Sequence, residues 1–145
     1  MFLFAAPCLF RLYSTKKDIR RILFNSSDNL DVVLPVRGLS DIRGLSDVLV
    51  IDYDINSHLV YWIDGTTNTI RCAFQNGTNM TIIKLNAGAA PYDLAVDPYG
   101  RQLYWTDAAS NSIKVYSLKN KTNLGVVFRE ENVHPRSIVL YPEKG

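Results

Sequence analysis

The residues of this sequence whose types and spacing could do chemistry are two pairs of aspartates. Asp54 and Asp64 form the first pair, and Asp97 and Asp107 form the second. Two carboxylates that face each other can hydrolyse a glycosidic bond, and clustered carboxylates can bind calcium. However, the same pair occurs twice, whereas a catalytic pair is needed only once. We therefore interpret these carboxylates as structural groups that bind backbone N–H groups at strand ends and turns.

Other catalytic and metal-binding patterns are not found in the sequence. There is no nucleophile elbow for serine–histidine–acid catalysis, and there is no glycine-rich phosphate loop or zinc signature. His58 is predicted in a turn and His134 in a loop before a proline. These histidines are interpreted as ordinary loop residues, and the alternative is that one of them acts as a pH switch. We therefore expect no enzyme activity, no cofactor and no metal.

The cysteines and charges exclude several classes of protein. Cys8 and Cys72 are too far apart for a disulfide framework, and Cys72 lies in an apolar run, where we expect a free, half-buried thiol. The net charge of +2 is spread along the chain and gives no reason to expect nucleic acid or an anionic membrane as a partner. No apolar run approaches the roughly 20 residues of a membrane-spanning helix.

The first residues leave two interpretations open. Residues 1–8 are apolar, but Pro7 interrupts them and no basic segment precedes them, so a signal peptide competes with a strand edge or an artificial start. The basic residues that follow are interrupted by Asp18 and Ile19, which favours a solvated strand face over a heparan-binding or nuclear-import patch. These basic residues are Lys16, Lys17, Arg20 and Arg21.

Four asparagines stand in N-glycosylation sequons, and such sequons are typical of exposed loops in secreted proteins. The alternative is ordinary turn chemistry, because Asn, Gly, Ser and Thr are also the residues of hairpin turns. The four are Asn25, Asn76, Asn79 and Asn120.

A repeat of about 43 residues organises the chain. When Tyr61 is aligned with Tyr104, the neighbouring Trp, Asp, Asn and Ile residues also coincide. Each unit contains four short apolar runs separated by turn residues, which is typical of one β-propeller blade. A single blade cannot bury both of its apolar faces, so blades stack on one another.

The predicted fold is all-β, with about three blades and twelve strands. We expect an incomplete blade over 9–36, full blades over 48–87 and 92–130, and the first strand of a further blade over 136–141. The six-residue tandem repeat of Arg37–Ile42 as Arg43–Val48 is interpreted as a duplication in an exposed loop. A closed ring needs at least about four blades, so open sheet edges are expected.

The motifs Tyr61-Trp-Ile-Asp64 and Tyr104-Trp-Thr-Asp107, at this period, resemble the YWTD (class B) repeats of the low-density lipoprotein receptor family. The resemblance covers about residues 9–145. It implies a partial six-bladed propeller that binds ligands without catalysis, on the extracellular side of the plasma membrane. It also implies a single-pass parent protein in which the rest of the ring and an EGF-like module are partners. Ile63 departs from the usual threonine.

Three stretches resemble the Wnt co-receptors within this family. The segments "KKDIRRILF", "CAFQNGTN" and "HPRSIVLYP" are similar to the start of their third propeller. This resemblance implies binding of Wnt ligands and of secreted antagonists such as Dickkopf on one face of the ring. Tyr141 departs from the aspartate that usually ends the first strand of a blade.

Loops that lead into the innermost strands form the ligand face of such a propeller. Here they are predicted at 46–48, 89–92 and 134–137, and the resemblance gives an acidic residue in the first and an arginine in the third a ligand-face position. The candidate ligand-face residues are Asp47, Ala90, Tyr92, His134 and Arg136. An arginine beside an aromatic residue is the composition of an interaction hot spot. For Arg136 and Asp47 the alternative is capping of a turn.

The motif residues themselves are interpreted as packing residues, because they recur at the structural period. They are Tyr61, Trp62, Asp64, Tyr104, Trp105 and Asp107.

Three alternatives stay open at the level of the whole chain. An endocytic lipoprotein receptor or a nidogen-like matrix propeller would differ in rim residues and flanking modules. A six-bladed lactonase-like enzyme would hold a metal at the central channel. Two copies of twelve strands could also close one six-bladed ring, although a segment of a longer protein explains the strand count more simply.

Overall fold

Every regular element in the described part of the chain is a β-strand. The computed structural model describes residues 10–23, 30–35, 45 and 47–141. In this part of the chain there are eleven strands in three antiparallel sheets. The described residues contain no helix long and apolar enough to cross a membrane. Predictions about residues 1–8, including Cys8, about Asn25 and about most of the tandem repeat lie outside the described residues.

Each sheet is formed by strands that follow one another in the chain. Sheet 1 has the order β1-β2-β3 and consists of β1 (Phe10–Ser14), β2 (Ile19–Leu23) and β3 (Leu30–Val33). Sheet 2 consists of β4 (Val48–Asp54), β5 (Leu59–Asp64), β6 (Thr69–Phe74) and β7 (Thr81–Ile83). Sheet 3 consists of β8 (Pro91–Asp97), β9 (Gln102–Asp107), β10 (Ser112–Ser117) and β11 (Thr122–Arg129).

Sheets 2 and 3 use the same turns at the same places in the repeat. His58 and Arg101 both adopt positive φ, at 59° and 54°, in the turns after the first strand of each sheet. Asn68 and Asn111 do the same in the next turns, at 52° and 47°. Such left-handed residues are required in tight hairpin turns, and asparagine adopts this conformation more readily than most residues. The repeat in sequence is therefore a repeat in backbone conformation.

Sheet 2 is buried on both faces because it lies between the other two sheets. Residues on alternating positions of β5 enter different cores, as expected for a strand. The core between sheets 1 and 2 contains Phe10, Leu12, Ile19, Ile51, Tyr53, Val60 and Trp62. The core between sheets 2 and 3 contains Tyr61, Ile63, Ile70, Leu94, Leu103, Trp105 and Tyr116. The prediction of an all-β partial propeller is confirmed by this stacking.

The outer part of sheet 3 is exposed. Every residue of β11 is exposed, including Val127 and Phe128. Tyr104, whose counterpart Tyr61 is buried against sheet 3, is only half-buried. Sheet 2 packs against sheet 3 with one of its faces, and the equivalent face of sheet 3 is exposed.

The predicted twelfth strand is not a strand in the structure. Residues 136–141 have no ladder partner among the described residues, and a β-strand is defined by such pairing. The segment nevertheless begins where a further blade would begin. Ile138 N donates to Asp93 Oδ2 (2.8 Å), and Val96 N donates to Asp52 Oδ2 (2.7 Å). When the repeats are aligned, the residue that donates the N–H occupies the position one after that of the aspartate that accepts it, in both cases. Residues 136–141 are therefore aligned along β8 in the same way as β8 is aligned along β4.

Candidate ligand-binding rim

The antiparallel strands place loops at two opposite ends of the sheets. The loops that enter β4 and β8 lie at the same end as the β5–β6 and β9–β10 turns. We call this end the binding rim; its described residues are 47–49, 65–68, 86–92, 108–111 and 134–137. We call the other end the opposite rim; it comprises the turns at 55–58, 75–80, 98–101 and 118–121. All five candidate ligand-face residues fall on the binding rim.

Asp54 joins sheets 2 and 3 at the opposite rim. Its Oδ2 accepts hydrogen bonds from Arg101 Nη1 (2.6 Å) and Ser57 Oγ (2.5 Å). Burial acts to raise the pKa of Asp54, but the hydrogen bonds from Ser57 and Arg101 outweigh it and lower the pKa below its usual value. Beside this contact, Asn56 Nδ2 donates to the Pro98 carbonyl (2.5 Å). These bonds fix the relative position of the two sheets.

Asp52 makes a second link between the innermost strands. Its Oδ1 accepts from Tyr53 N (2.7 Å) and its Oδ2 accepts from Val96 N (2.7 Å). Burial raises the pKa of Asp52 to about 6, and the two backbone hydrogen bonds oppose that shift without cancelling it. The carboxylate therefore bridges β4 and β8 near neutral pH.

Each YWTD aspartate is held by backbone N–H groups and by one cation. Asp107 Oδ1 accepts from Ala90 N and Ala109 N, both at 3.0 Å, and its Oδ2 accepts from Lys114 Nζ. Burial acts to raise the pKa of Asp107, but the bonds from Lys114 and Ser110, with those backbone bonds, lower it to about 2.

Asp64 repeats this arrangement in sheet 2. Its Oδ1 accepts from Thr66 N and Thr67 N, and its Oδ2 lies 3.2 Å from Arg71 Nη2. Arg71 is 1% exposed. The two aspartates therefore fasten the β5–β6 and β9–β10 turns, which form part of the binding rim.

The aromatic motif residues fill the cores. Trp62 and Trp105 are 0% and 1% exposed, and Tyr61 is 3% exposed. Neither indole Nε1 atom has a hydrogen-bond acceptor in the described part of the chain. Burial in the two cores therefore holds the indoles without that bond. Lys114 Nζ also lies 5.1 Å from the centre of the Trp105 ring. The Cys72 thiol is free and buried, and burial raises its pKa to about 11.

Asp47 lies against the turn that follows the first YWTD motif. Its backbone carbonyl accepts from Gly65 N (2.7 Å). A side chain on Gly65 would collide with this residue, because an added Cβ would lie 2.5 Å from Asp47 Oδ2. Ala90 occupies the equivalent place in sheet 3, where its carbonyl accepts from Ala108 N (2.8 Å). Rim and turn are thus linked by one backbone bond in each blade.

Tyr92 and Arg136 are brought together on the binding rim. The guanidinium carbon of Arg136 lies 5.7 Å from the centre of the Tyr92 ring, within the range of a cation–π contact. Both residues are exposed, and Tyr92 retains 45% of its accessible surface. The pair presents a flat aromatic ring and a positive charge side by side on the exposed surface.

His134 approaches the end of the second YWTD turn. Its Nδ1 lies 2.6 Å from Asn111 Oδ1. Likewise, His58 Nδ1 lies 3.2 Å from the Tyr53 hydroxyl.

Asp47 and Ala90 are held within their own blades and have no such side-chain contact with the Tyr92–Arg136 pair among the described interactions. The described residues of this rim contain no group of three potential metal ligands.

The cations that neutralise the buried aspartates were not predicted from the sequence. Arg71 and Lys114 occur at the repeat period, seven residues after each YWTD aspartate, and this spacing is a signal that could have identified them. Arg101 had no such signal, because the equivalent residue in sheet 2 is His58.

The described sequon asparagines all lie on the opposite rim. Asn76 and Asn79 are exposed in the β6–β7 turn, and Asn120 is exposed in the β10–β11 turn. None of the three lies beside the Tyr92–Arg136 pair.

Comparison with known proteins agrees with the geometry. A family model described as low-density lipoprotein receptor repeat class B matches residues 58–98. Low-density lipoprotein receptor-related protein 5 of Homo sapiens is 35% identical over 144 residues, which cover 96% of this chain and 8% of that protein. The Mus musculus protein of the same name is 34% identical with the same coverage. The chain thus spans a small fraction of the length of these relatives.

A solved structure shows the same fold. The crystal structure of a nidogen–laminin complex aligns with a TM-score of 0.74 and 23% identity, over 92% of this chain and 49% of that one. With the YWTD motifs, the stacked sheets and the identity to these relatives, the chain belongs to the family of low-density lipoprotein receptor class B repeat proteins.

Proposed function

We propose that residues 9–145 are part of an extracellular, non-catalytic propeller of a low-density lipoprotein receptor-related protein that binds secreted proteins in Wnt signalling. The identity of 35% to human low-density lipoprotein receptor-related protein 5 supports this assignment. The proposed location is the extracellular side of the plasma membrane, where the parent protein is anchored. Because the chain covers 8% of that relative, the activity of the whole protein is part of the proposal.

The observation that carries the proposal is the Tyr92–Arg136 pair. An exposed aromatic ring with a guanidinium 5.7 Å from its centre is a compact binding surface, and tyrosine and arginine are enriched in interaction hot spots. The Asp54–Arg101 and Asp52–Val96 bonds hold the sheets beneath it. A surface that is rigid before binding loses less entropy on association.

The proposed partners are Wnt proteins and Dickkopf-like antagonists. A partner segment that places a carboxylate on Arg136 and an apolar or aromatic group on Tyr92 would complement this surface. Leu49 is 43% exposed at the equivalent place in sheet 2, so the same rim carries a second exposed apolar side chain. The remaining blades and the EGF-like module of the parent protein are the other proposed partners.

Direct binding tests the proposal. The purified chain is immobilised, and a Wnt protein, a Dickkopf protein and laminin are passed over it in a biosensor. We expect Wnt or Dickkopf to bind, and Arg136→Ala to weaken that binding by 2 kcal/mol or more, about 30-fold, as for a hot-spot arginine. Lys119→Ala, on the opposite rim, is the matched control and leaves affinity unchanged.

Two results would overturn the proposal. Binding of laminin alone would indicate a nidogen-like matrix function. Equal affinities of Arg136→Ala and Lys119→Ala for the Wnt or Dickkopf ligand would place the binding surface away from the Tyr92–Arg136 pair.

A further inference from the structure

The turn between β6 and β7 carries an aromatic residue two positions before a sequon asparagine. The segment is Phe74-Gln75-Asn76-Gly77-Thr78. Gly77 N donates to the Phe74 carbonyl (2.8 Å), and Phe74 N donates to the Thr78 carbonyl (3.0 Å). Gly77 has a φ of 79°, as in three-residue hairpin turns that end in a left-handed glycine. Phe74 and Thr78 therefore oppose each other across the turn, and Asn76 lies between them.

The Asn76 side chain is oriented by Thr78. Its Oδ1 accepts from Thr78 N (3.0 Å) and from Thr78 Oγ1 (2.6 Å). Neither bond uses Nδ2, which is the atom that an N-linked sugar would occupy. Asn76 is also exposed, so the amide is ordered and accessible at the same time.

Phe74 has an exposed ring beside this asparagine. It retains 36% of its accessible surface, although it ends a strand whose preceding four residues are buried. Phe74 and Asn76 line the same open groove of about 740 Å³ between sheets 1 and 2, together with Tyr53 and His58. An aromatic face carries partial negative charge, which attracts the weakly positive C–H groups of a sugar ring.

We propose that Asn76 carries an N-linked glycan whose first N-acetylglucosamine packs on the Phe74 ring and stabilises the β6–β7 turn. The proposal rests on the extracellular location given under the proposed function. In the reaction, Asn76 Nδ2 forms a bond to C1 of a sugar on a lipid pyrophosphate donor. The C1–oxygen bond breaks, the lipid pyrophosphate leaves with the electron pair, and the amide loses one proton.

The neighbouring sequons lack this arrangement. Two positions before Asn79 stands Gly77, and Thr81 Oγ1 donates to the Asn79 backbone carbonyl (3.5 Å) rather than to its side chain. Asn120 occupies the equivalent turn of sheet 3, where the residue two positions earlier is Leu118. Asn120 is thus a natural control, because it is a sequon asparagine without an aromatic residue two positions before it.

The test compares chains that each keep one sequon, produced in a secreting eukaryotic host. Mass spectrometry determines occupancy, and each glycan is trimmed to a single N-acetylglucosamine. For the Asn76 chain we expect that sugar to raise the Tm by about 2–4 °C, as for one aromatic contact in a domain of this size. Its N-acetyl and ring protons should shift upfield in NMR spectra because of the Phe74 ring current. Phe74→Leu should abolish both effects.

The Asn120 chain is the matched control. We expect its sugar to change the Tm by less than the sugar on Asn76 and to show no ring-current shift, whereas Leu118→Phe should introduce that shift. Circular dichroism confirms that the variants are folded before the comparison.

An Asn76 without sugar in the secreted chain would overturn the inference. Equal Tm increments in wild type and Phe74→Leu, without upfield shifts, would overturn it as well. Either failure is separable from failure of the proposed function, because binding of Wnt or Dickkopf is measured independently of occupancy and stability.

Discussion

At the scale of single residues, the buried ion pairs explain why the repeat keeps a cation near each YWTD aspartate. Arg71 lies 3.2 Å from Asp64 Oδ2, with side-chain exposures of 1% and 5%. The same relation joins Lys114 to Asp107 in sheet 3. Removing one partner of such a pair leaves an uncompensated buried charge, which costs more than the intact pair contributes.

Replacing Arg71 by Met tests this interpretation. Met keeps much of the apolar volume but leaves the Asp64 carboxylate buried without a cation, so we expect a loss of about 3 kcal/mol or more in unfolding free energy. Arg20→Met removes the exposed pair with Asp31 and should have a much smaller effect. Urea denaturation measures both, and equal losses would show that the Arg71–Asp64 pair is not a buried pair in solution.

Asp107 and Asp52 make stability depend on pH in opposite directions. The pKa of Asp107 is about 2 in the fold and ordinarily 3.8, so its contribution is complete above about pH 4 and is lost as the pH falls towards 2. The pKa of Asp52 is raised to about 6, so its contribution is present below about pH 4 and is lost as the pH rises to 6.

Urea unfolding from pH 2 to pH 7 separates these two contributions. The stability difference between wild type and Asp107→Asn should shrink between pH 4 and 2. Wild type should lose stability relative to Asp52→Asn between pH 4 and 6. Parallel profiles of all three proteins would contradict the assigned pKa shifts.

At the scale of elements, the hairpin turns connect the sheets as well as the strands. Gly77 in the β6–β7 turn lies so close to sheet 1 that an added Cβ would be 2.2 Å from the Pro35 carbonyl oxygen. Gly88 has nearly the same φ, 76° against 79°, but no described atom lies within 4 Å of its Cβ position. Substitutions at these two glycines therefore distinguish the cost of backbone strain, which both positions share, from the cost of disturbing the contact with sheet 1, which only Gly77 makes.

Alanine at these two positions should have different effects. Both variants place a Cβ in a left-handed conformation, which costs about 1–2 kcal/mol. Gly77→Ala must also displace the Pro35 backbone, so we expect a further loss of about 1–3 kcal/mol. Chemical denaturation measures this difference. If Gly88→Ala is as destabilising as Gly77→Ala, the turn does not contact sheet 1 in the way described.

The sequence predicted the elements better than the links between them. Alignment of Tyr61 with Tyr104 predicted sheets 2 and 3, because a repeated pattern fixes equivalent strands. It did not predict the Asp54–Arg101 bond, since these residues are 47 positions apart and the arginine is not repeated. The strand predicted at 136–141 is unpaired because strand formation requires a partner, which hydrophobic alternation alone does not supply.

At the scale of the whole molecule, the two rims have different surfaces. The binding rim carries the Tyr92–Arg136 pair, whereas the described sequons lie on the opposite rim. The sequence placed all five candidate ligand-face residues in loops of this rim, but only the fold shows the contact between Tyr92 and Arg136. Glycans on Asn76 or Asn120 would leave the binding rim accessible to a protein partner.

The central claim is that the protein partner binds to the binding rim. Blocking this rim with a sugar tests that claim most directly. Ala108 is exposed on that rim, and Ala108→Asn creates a sequon with Ser110. In secreted chains with verified sugar at position 108, binding of the Wnt or Dickkopf ligand should fall below detection in the biosensor, while chains glycosylated only at their own sequons keep wild-type affinity. Wild-type affinity in the fully glycosylated Ala108→Asn chain would contradict the account, because the ligand would then bind elsewhere.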